Sequence, residues 1–187
     1  MNLAIADQEY SSEFGWVITL PAGWQNLQPG GDPNAPVPHH PIVFASADNW
    51  ALSLTWMIAA GPVDKGIASD FLTRTMLEGP IDPSAVQRTV QEIFPAIGEI
   101  NEAIVVKLPD GSKALELLET YWEAGSGQIK RGYQLILPLR AGLEKAVTFQ
   151  RLCFYAPRKE FSQRVAEVRK AARSFHYVRT AGLGPPG

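Results

Sequence analysis

Glu119 and Glu123 stand on either side of Tyr121 in a segment that alternates apolar and polar residues. Read as a strand, it puts both carboxylates on one face and Glu116 on the other. Carboxylates sharing a face can act as general acid and base. No histidine or metal motif accompanies them, and a solvated sheet face accounts for the Glu119 and Glu123 pair without catalysis. Cys153 falls on the same strand face as Val147, Phe149 and Tyr155, with Arg151 interrupting it. A nucleophile there would need a histidine and an oxyanion site, so a buried, inert thiol is expected. His39 and His40 are adjacent in a proline-flanked segment and point different ways. A metal would need carboxylates from elsewhere, and the two read as solvated loop histidines. His176 reads as a surface or edge residue.

The common nucleotide-binding, hydrolase and metalloprotease motifs are absent: no Gly-x-x-x-x-Gly-Lys-Ser/Thr, Gly-x-Gly-x-x-Gly, Gly-x-Ser-x-Gly or His-Glu-x-x-His occurs. The expectation is therefore no catalytic residue, no cofactor and no metal. The competing reading is a small-molecule binder or small hydrolase built on Glu119, Glu123 or Cys153.

The elements that would position these residues follow from composition and period. The 187 residues fit one domain, and 45% hydrophobic content supplies a core. A single domain over 1–181 with a disordered tail over 182–187 is expected. A formal charge of −2 gives no global attraction to nucleic acid, and the lone cysteine excludes an intrachain disulfide. Met1 to Tyr10 has neither a basic region nor an apolar run, and no stretch approaches the roughly 20 apolar residues of a spanning helix. The expectation is a cytoplasmic protein without membrane insertion.

Trp16 to Leu20 alternates as a strand and is stopped by Pro21. Residues 28–41 hold five prolines and two glycines, which suits a long surface loop and a candidate binding loop. Pro41 to Ala47 and Ala51 to Ala59 read as a hairpin turning at Asp48-Asn49, continuing the sheet begun at Trp16. Ile67, Phe71, Leu72 and Met76 recur at helical spacing, and Gly79-Pro80 ends that helix. Asp82 then caps a second helix with Pro83 at its first position and Val86, Val90, Ile93 and Phe94 as its stripe. Two such helices would cover one sheet face.

From Glu99 the period returns to two. Glu102 to Leu108, Lys113 to Glu123, Ile129 to Leu139 and Ala146 to Tyr155 predict an antiparallel meander, punctuated by Pro109-Asp110-Gly111, Gly125-Ser126-Gly127 and Arg140-Ala141-Gly142. Arg158 to Arg173 closes the pattern as a helix buried along Phe161, Val165, Val168 and Ala172, with Ser174 to Val178 as an edge strand or extended exit. The fold class is α+β, an antiparallel sheet with helices on one or both faces.

The strand ending in Leu20-Pro21-x-Gly23-Trp24, the hairpin, the central helices, the late meander, and Phe154-Tyr155-Ala156-Pro157 followed by a helix and Ser174-Phe175 resemble the PsbP-like superfamily. That superfamily includes the photosystem II PsbP subunit, Mog-type Ran-binding proteins, DcrB-like proteins and Eag-type secretion chaperones. The resemblance implies an α/β sandwich and a non-enzymatic module that binds or assembles another protein.

Two features point to a contact surface. From Arg151 onward the bases outnumber the acids, and Arg158, Arg169 and Arg173 gather on the last helix, either as a solvated face or as a surface for an acidic partner. Nucleic acid is not expected, since no recognition motif accompanies the charge. Trp16, Trp24, Trp50, Trp56 and Trp122 suit the core, but Trp24 follows a turn and Trp50 sits at a hairpin tip, where an exposed indole makes a contact anchor. The expected partner residues are Trp24, His39, His40, Trp50, Arg169 and Arg173, and the partner is another protein.

Overall fold

Four long strands separated by short turns build the centre of the molecule, because a period of two is sustained from Glu99 to Pro157. In the computed structural model, residues 7–12, 15–27, 42–46, 50–58, 78–140 and 147–178 are described. Their strands are β1 (Gln8–Ser11), β2 (Trp16–Leu20), β3 (Gln25–Asn26), β4 (Ile42–Ala45), β5 (Ala51–Ile58) and β6 (Gly79–Ile81). Helix α1 (Pro83–Ile93) follows, then β7 (Glu99–Lys107), β8 (Lys113–Glu123), β9 (Gln128–Arg140) and β10 (Val147–Pro157), helix α2 (Arg158–Ser174), and β11 (His176–Tyr177). The predicted loop 28–41, the turn at Asp48-Asn49, the helix through Ile67 to Met76 and the tail 182–187 lie outside the described residues.

Among the described residues the strands form two sheets. The larger runs β3-β4-β5-β10-β9-β8-β7-β6, and the smaller runs β1-β2-β11. Every described pairing is antiparallel. The predicted hairpin is present, but it does not extend the sheet of Trp16. Strand β2 has β1 along one edge and β11 against Trp16 and Val17 on the other. The hairpin joins the meander instead, through β5 against β10.

Turn and cap chemistry fixes the boundaries. Asp82 accepts from the Ser84 N–H at 3.0 Å, with Pro83 opening α1 as predicted. Gln87 then ties α1 to the start of β7, donating to the Gly98 carbonyl at 2.9 Å and accepting from the Ile100 N–H at 2.6 Å. Gly79-Pro80, expected only to stop a helix, lies in the edge strand β6, where proline costs no inner ladder bond. Asp110 accepts from Ser112 and from the Tyr177 N–H, which anchors β11 to the β7–β8 turn.

The large sheet is covered on both faces. One face packs with β2 and α2 around Trp16, Ile18, Tyr133, Leu135, Phe154, Phe161, Val168 and Phe175. The other packs with α1 around Val86, Val90, Phe94, Leu115, Leu117, Ile136 and Phe149. The described helices thus sit on opposite faces of one sheet, and the polar groups singled out above are distributed between those two interiors.

Candidate functional site

The face that α1 covers holds the first polar cluster. Glu119 lies opposite Gly132 on β9, which lies opposite Tyr155 on β10, and one step along the ladder Leu117, Gln134 and Cys153 repeat the row. Glu119 is fully buried. Its carboxylate accepts from the Gly98 N–H at 2.5 Å and from Gln134 Nε2, which also donates to the Tyr155 hydroxyl at 3.0 Å. Arg151 supplies positive charge, with Nη1 3.4 Å from Gln134 Oε1 and its guanidinium carbon 5.5 Å above the Phe94 ring. Gly132 makes room for the row: a Cβ there would meet Tyr155 Cε1 at 2.6 Å and Glu119 Oε1 at 2.7 Å.

This corrects the solvated-face reading for Glu119, which is buried, as is Glu116 on the other face. Only Glu123, half-buried at the strand end, has a solvated setting. It accepts from Lys130 at 2.6 Å and Ser126 at 2.5 Å. Those bonds, led by the Lys130 ammonium, hold its carboxyl below the usual range. Four strand steps separate Glu119 from Glu123, about 13 Å, too far to share one reacting bond as acid and base.

Cys153 is buried, as expected. Burial pushes its thiol up to about 12, Arg151 opposes the rise and Glu119 adds to it. Such a thiol carries almost no thiolate near neutrality. Burial likewise raises the Tyr155 phenol, and raises Tyr133 with Glu116 adding to the effect. Tyr177 is raised to about 12, mainly by burial. All four groups fold neutral. Their contribution is therefore complete below the unfolded values, 9.0 for the thiol and 10.0 for the phenols, and is lost as pH rises toward the folded ones. Each group removes about 1.4 kcal/mol of stability per pH unit in that window. Urea midpoints should hold level from pH 7 to about 8.5 and then fall steeply. The Cys153→Ala variant should begin its fall later than the parent.

On the opposite face, Glu116 is clamped from α2. Arg173 Nε and Nη2 reach its two oxygens at 2.7 and 3.0 Å, Arg169 Nε stands 2.9 Å away, and the Tyr133 hydroxyl donates at 3.1 Å. Arg169 also reaches Glu102 at 3.2 Å. Arg169 and Arg173, expected at a partner surface, thus direct their charge onto the domain's own sheet. Trp24 is 3% exposed and its Nε1–H donates to Glu167 at 3.0 Å, so it presents almost no surface. Trp50 is half-buried, edge-on to Phe154 with ring centroids 6.2 Å apart. His39 and His40 lie outside the described residues.

Among the described residues the exposed aromatic is Trp122, whose place in an alternating strand suits the core. It is 61% exposed, and its cross-strand partner Ile129 is 59% exposed. Strand β7 pairs with β8 only as far as Thr120, and β10 with β9 only as far as Lys130, so the tip of the β8–β9 hairpin projects past both neighbours. Trp122 and Ile129 share the face that α2 covers farther along. Helix α2 begins at Arg158, directly after the Pro157–Lys130 pair, and leaves them open. A bulge between Ile100 and Glu102 sets Asn101 beside the base of this patch. There its Oδ1 accepts from Thr120 at 2.8 Å and from Arg131 at 2.7 Å. Arg131 Nη1 also donates to Thr120 Oγ1 at 2.7 Å. The sequence cue for this patch is the adjacency of Trp122 and Ile129 to the Gly-Ser-Gly turn, where strand neighbours run out.

No family model and no curated protein matches the chain. Among solved structures, the chain is similar to cyanobacterial PsbP from Synechocystis sp. PCC 6803, at 18% identity over 95% of this chain and 96% of that one, with a TM-score of 0.46. It is similar to LpqN, involved in cell envelope biogenesis of Mycobacterium tuberculosis, at 13% identity over 87% and 83%, with a TM-score of 0.48. It is also similar to the Saccharomyces cerevisiae Ran-binding protein Mog1p, at 13% identity over 93% and 96%, with a TM-score of 0.46. These likenesses are of fold alone. Among the described residues no helix is long and apolar enough to cross a membrane.

Proposed function

We propose that this chain is a non-enzymatic protein-binding module whose contact surface is the projecting end of the β8–β9 hairpin. The observation that carries the reading is the side-by-side exposure of Trp122 and Ile129 on one face. Singly exposed apolar residues are ordinary, but a tryptophan beside an isoleucine on a projecting hairpin has the composition of a contact anchor. Covering each would yield about 2 kcal/mol.

The groups nominated for chemistry support the same side. Glu119 is engaged by Gly98 and Gln134, Glu123 by Lys130 and Ser126, and Cys153 is held as a neutral thiol. The two carboxylates are used to hold the sheet together. Trp50, half-buried on the same sheet face, is a second point of contact.

Affinity capture from the source organism tests this reading. Wild-type protein should recover a protein that a folded Trp122→Ser/Ile129→Ser double variant recovers at least about tenfold less. Equal recovery by both would remove the hairpin as the contact surface.

A further inference from the structure

We infer that the partner segment seated on Trp122 and Ile129 is acidic, an extended or helical stretch in which Asp and Glu flank one bulky apolar side chain. The inference rests on the docking reading above and adds the chemistry of the occupant.

Elsewhere on this surface the bases are neutralised within the chain. Lys170 pairs with Asp7, Arg164 with Glu167, and Arg169 and Arg173 with Glu116, while Lys130 of the hairpin pairs with Glu123 on the opposite face. At the hairpin end the pattern breaks. Arg131 is held by Asn101 and Thr120, both neutral, one ladder step from Ile129. Arg158 and Lys159 are exposed at the start of α2, directly after the pair that flanks Ile129. Among the described residues none of these three cations makes an ion pair, and neither do Glu99 and Glu160.

Three unneutralised cations therefore rim one exposed apolar pair. A guanidinium held rigidly by neutral acceptors keeps its charge available and is pre-set to receive a carboxylate. The apolar pair supplies area, and the rim selects the sign of the partner's charge. An anionic membrane would share the charge but not the shape. The apex Ala124-Gly125-Ser126-Gly127 is small and polar and is flanked by Glu123, whereas an inserting loop carries its apolar side chains at the apex. Here they lie on a side face, where another polypeptide packs.

The test pans a random dodecapeptide library displayed on phage against the wild-type protein. Enriched sequences should carry a Leu, Ile, Phe or Trp flanked by Asp and Glu. A synthetic peptide of that sequence should lose about tenfold or more in affinity with Trp122→Ser. With Arg131→Gln/Arg158→Gln/Lys159→Gln it should also weaken, and its binding to wild type should fall as salt is raised. Unchanged urea midpoints establish that both variants are folded. Trp122-dependent peptides that are neutral or basic, with no salt dependence, would overturn the acidic occupant and leave the docking surface standing. Failure to enrich any Trp122-dependent peptide would overturn both. Trp122-dependent binding to vesicles of phosphatidylcholine and phosphatidylglycerol, with no peptide enriched, would replace the protein segment by a lipid surface.

Discussion

Gly98→Ala should be the most damaging single-methyl change in the domain, costing about 4 kcal/mol or more. A Cβ at Gly98 would lie 2.1 Å from the Thr120 carbonyl oxygen, 2.8 Å from its carbon and 3.0 Å from the Tyr121 Cα. All three are backbone atoms of β8, so no rotamer change relieves the clash and the strands must separate. Separation also withdraws the Gly98 N–H from buried Glu119 and the Gly98 carbonyl from Gln87, which holds α1 to β7. A buried carboxylate losing a donor carries its own penalty. Gly125→Ala is the matched control, because nothing lies within 4 Å of its Cβ and its φ is not positive. Urea denaturation of the two variants should show a near-parental midpoint for Gly125→Ala and a collapsed one for Gly98→Ala. Similar midpoints would mean the β7–β8 contact yields more readily than its backbone geometry implies.

The second large effect is expected at Glu116. Removing one member of a buried ionic group typically costs 3 to 5 kcal/mol, because the remaining charges lose compensation. Arg169 and Arg173 here are 30% and 41% exposed, so each can turn partly to water and the cost is placed at the low end, about 3 kcal/mol for Glu116→Ala. The Tyr133 hydroxyl cannot turn, since its residue is fully buried, and it would lose the acceptor it now has. Glu116→Gln keeps an acceptor for that hydroxyl and should fall between Ala and wild type. A double-mutant cycle with Arg173→Ala separates the pair from the rest of the site. Coupling near zero would show that Glu116 is held by Tyr133 and Arg169 without help from Arg173.

The parts of the fold that depend on neighbours in sequence were legible. Asp82 and Pro83 mark the start of α1, and Pro-Asp-Gly and Gly-Ser-Gly bound β8 at Lys113 and Glu123. Which strands pair across the molecule was not legible for β2, because its pattern of Trp16, Ile18 and Leu20 suits either sheet. The choice is made by β11, which arrives after α2. The buried acids were hidden for the same reason. Glu116 looks solvated until Arg173, 57 residues later, folds over it, and Glu119 until Gly98 and Gln134 close around it. Trp122 fails in the opposite direction. Its alternation with Leu118 and Thr120 reads as a covered face, and only the starting point of α2 leaves it open. Trp24 looks exposed because it follows a turn, yet Glu167 on α2 receives its indole N–H. Local chemistry fixes where elements begin and end, and long-range packing decides which faces meet water.

The central claim, that the hairpin end is the contact surface, is tested most directly by placing a photo-crosslinking amino acid at position 122 in cells that produce the chain. Positions 27 and 178 serve as controls, since Leu27 and Val178 are exposed apolar residues elsewhere on the surface. Position 122 should give one discrete protein adduct that is absent from both controls. The same adducts from all three positions, or none from position 122, would contradict it.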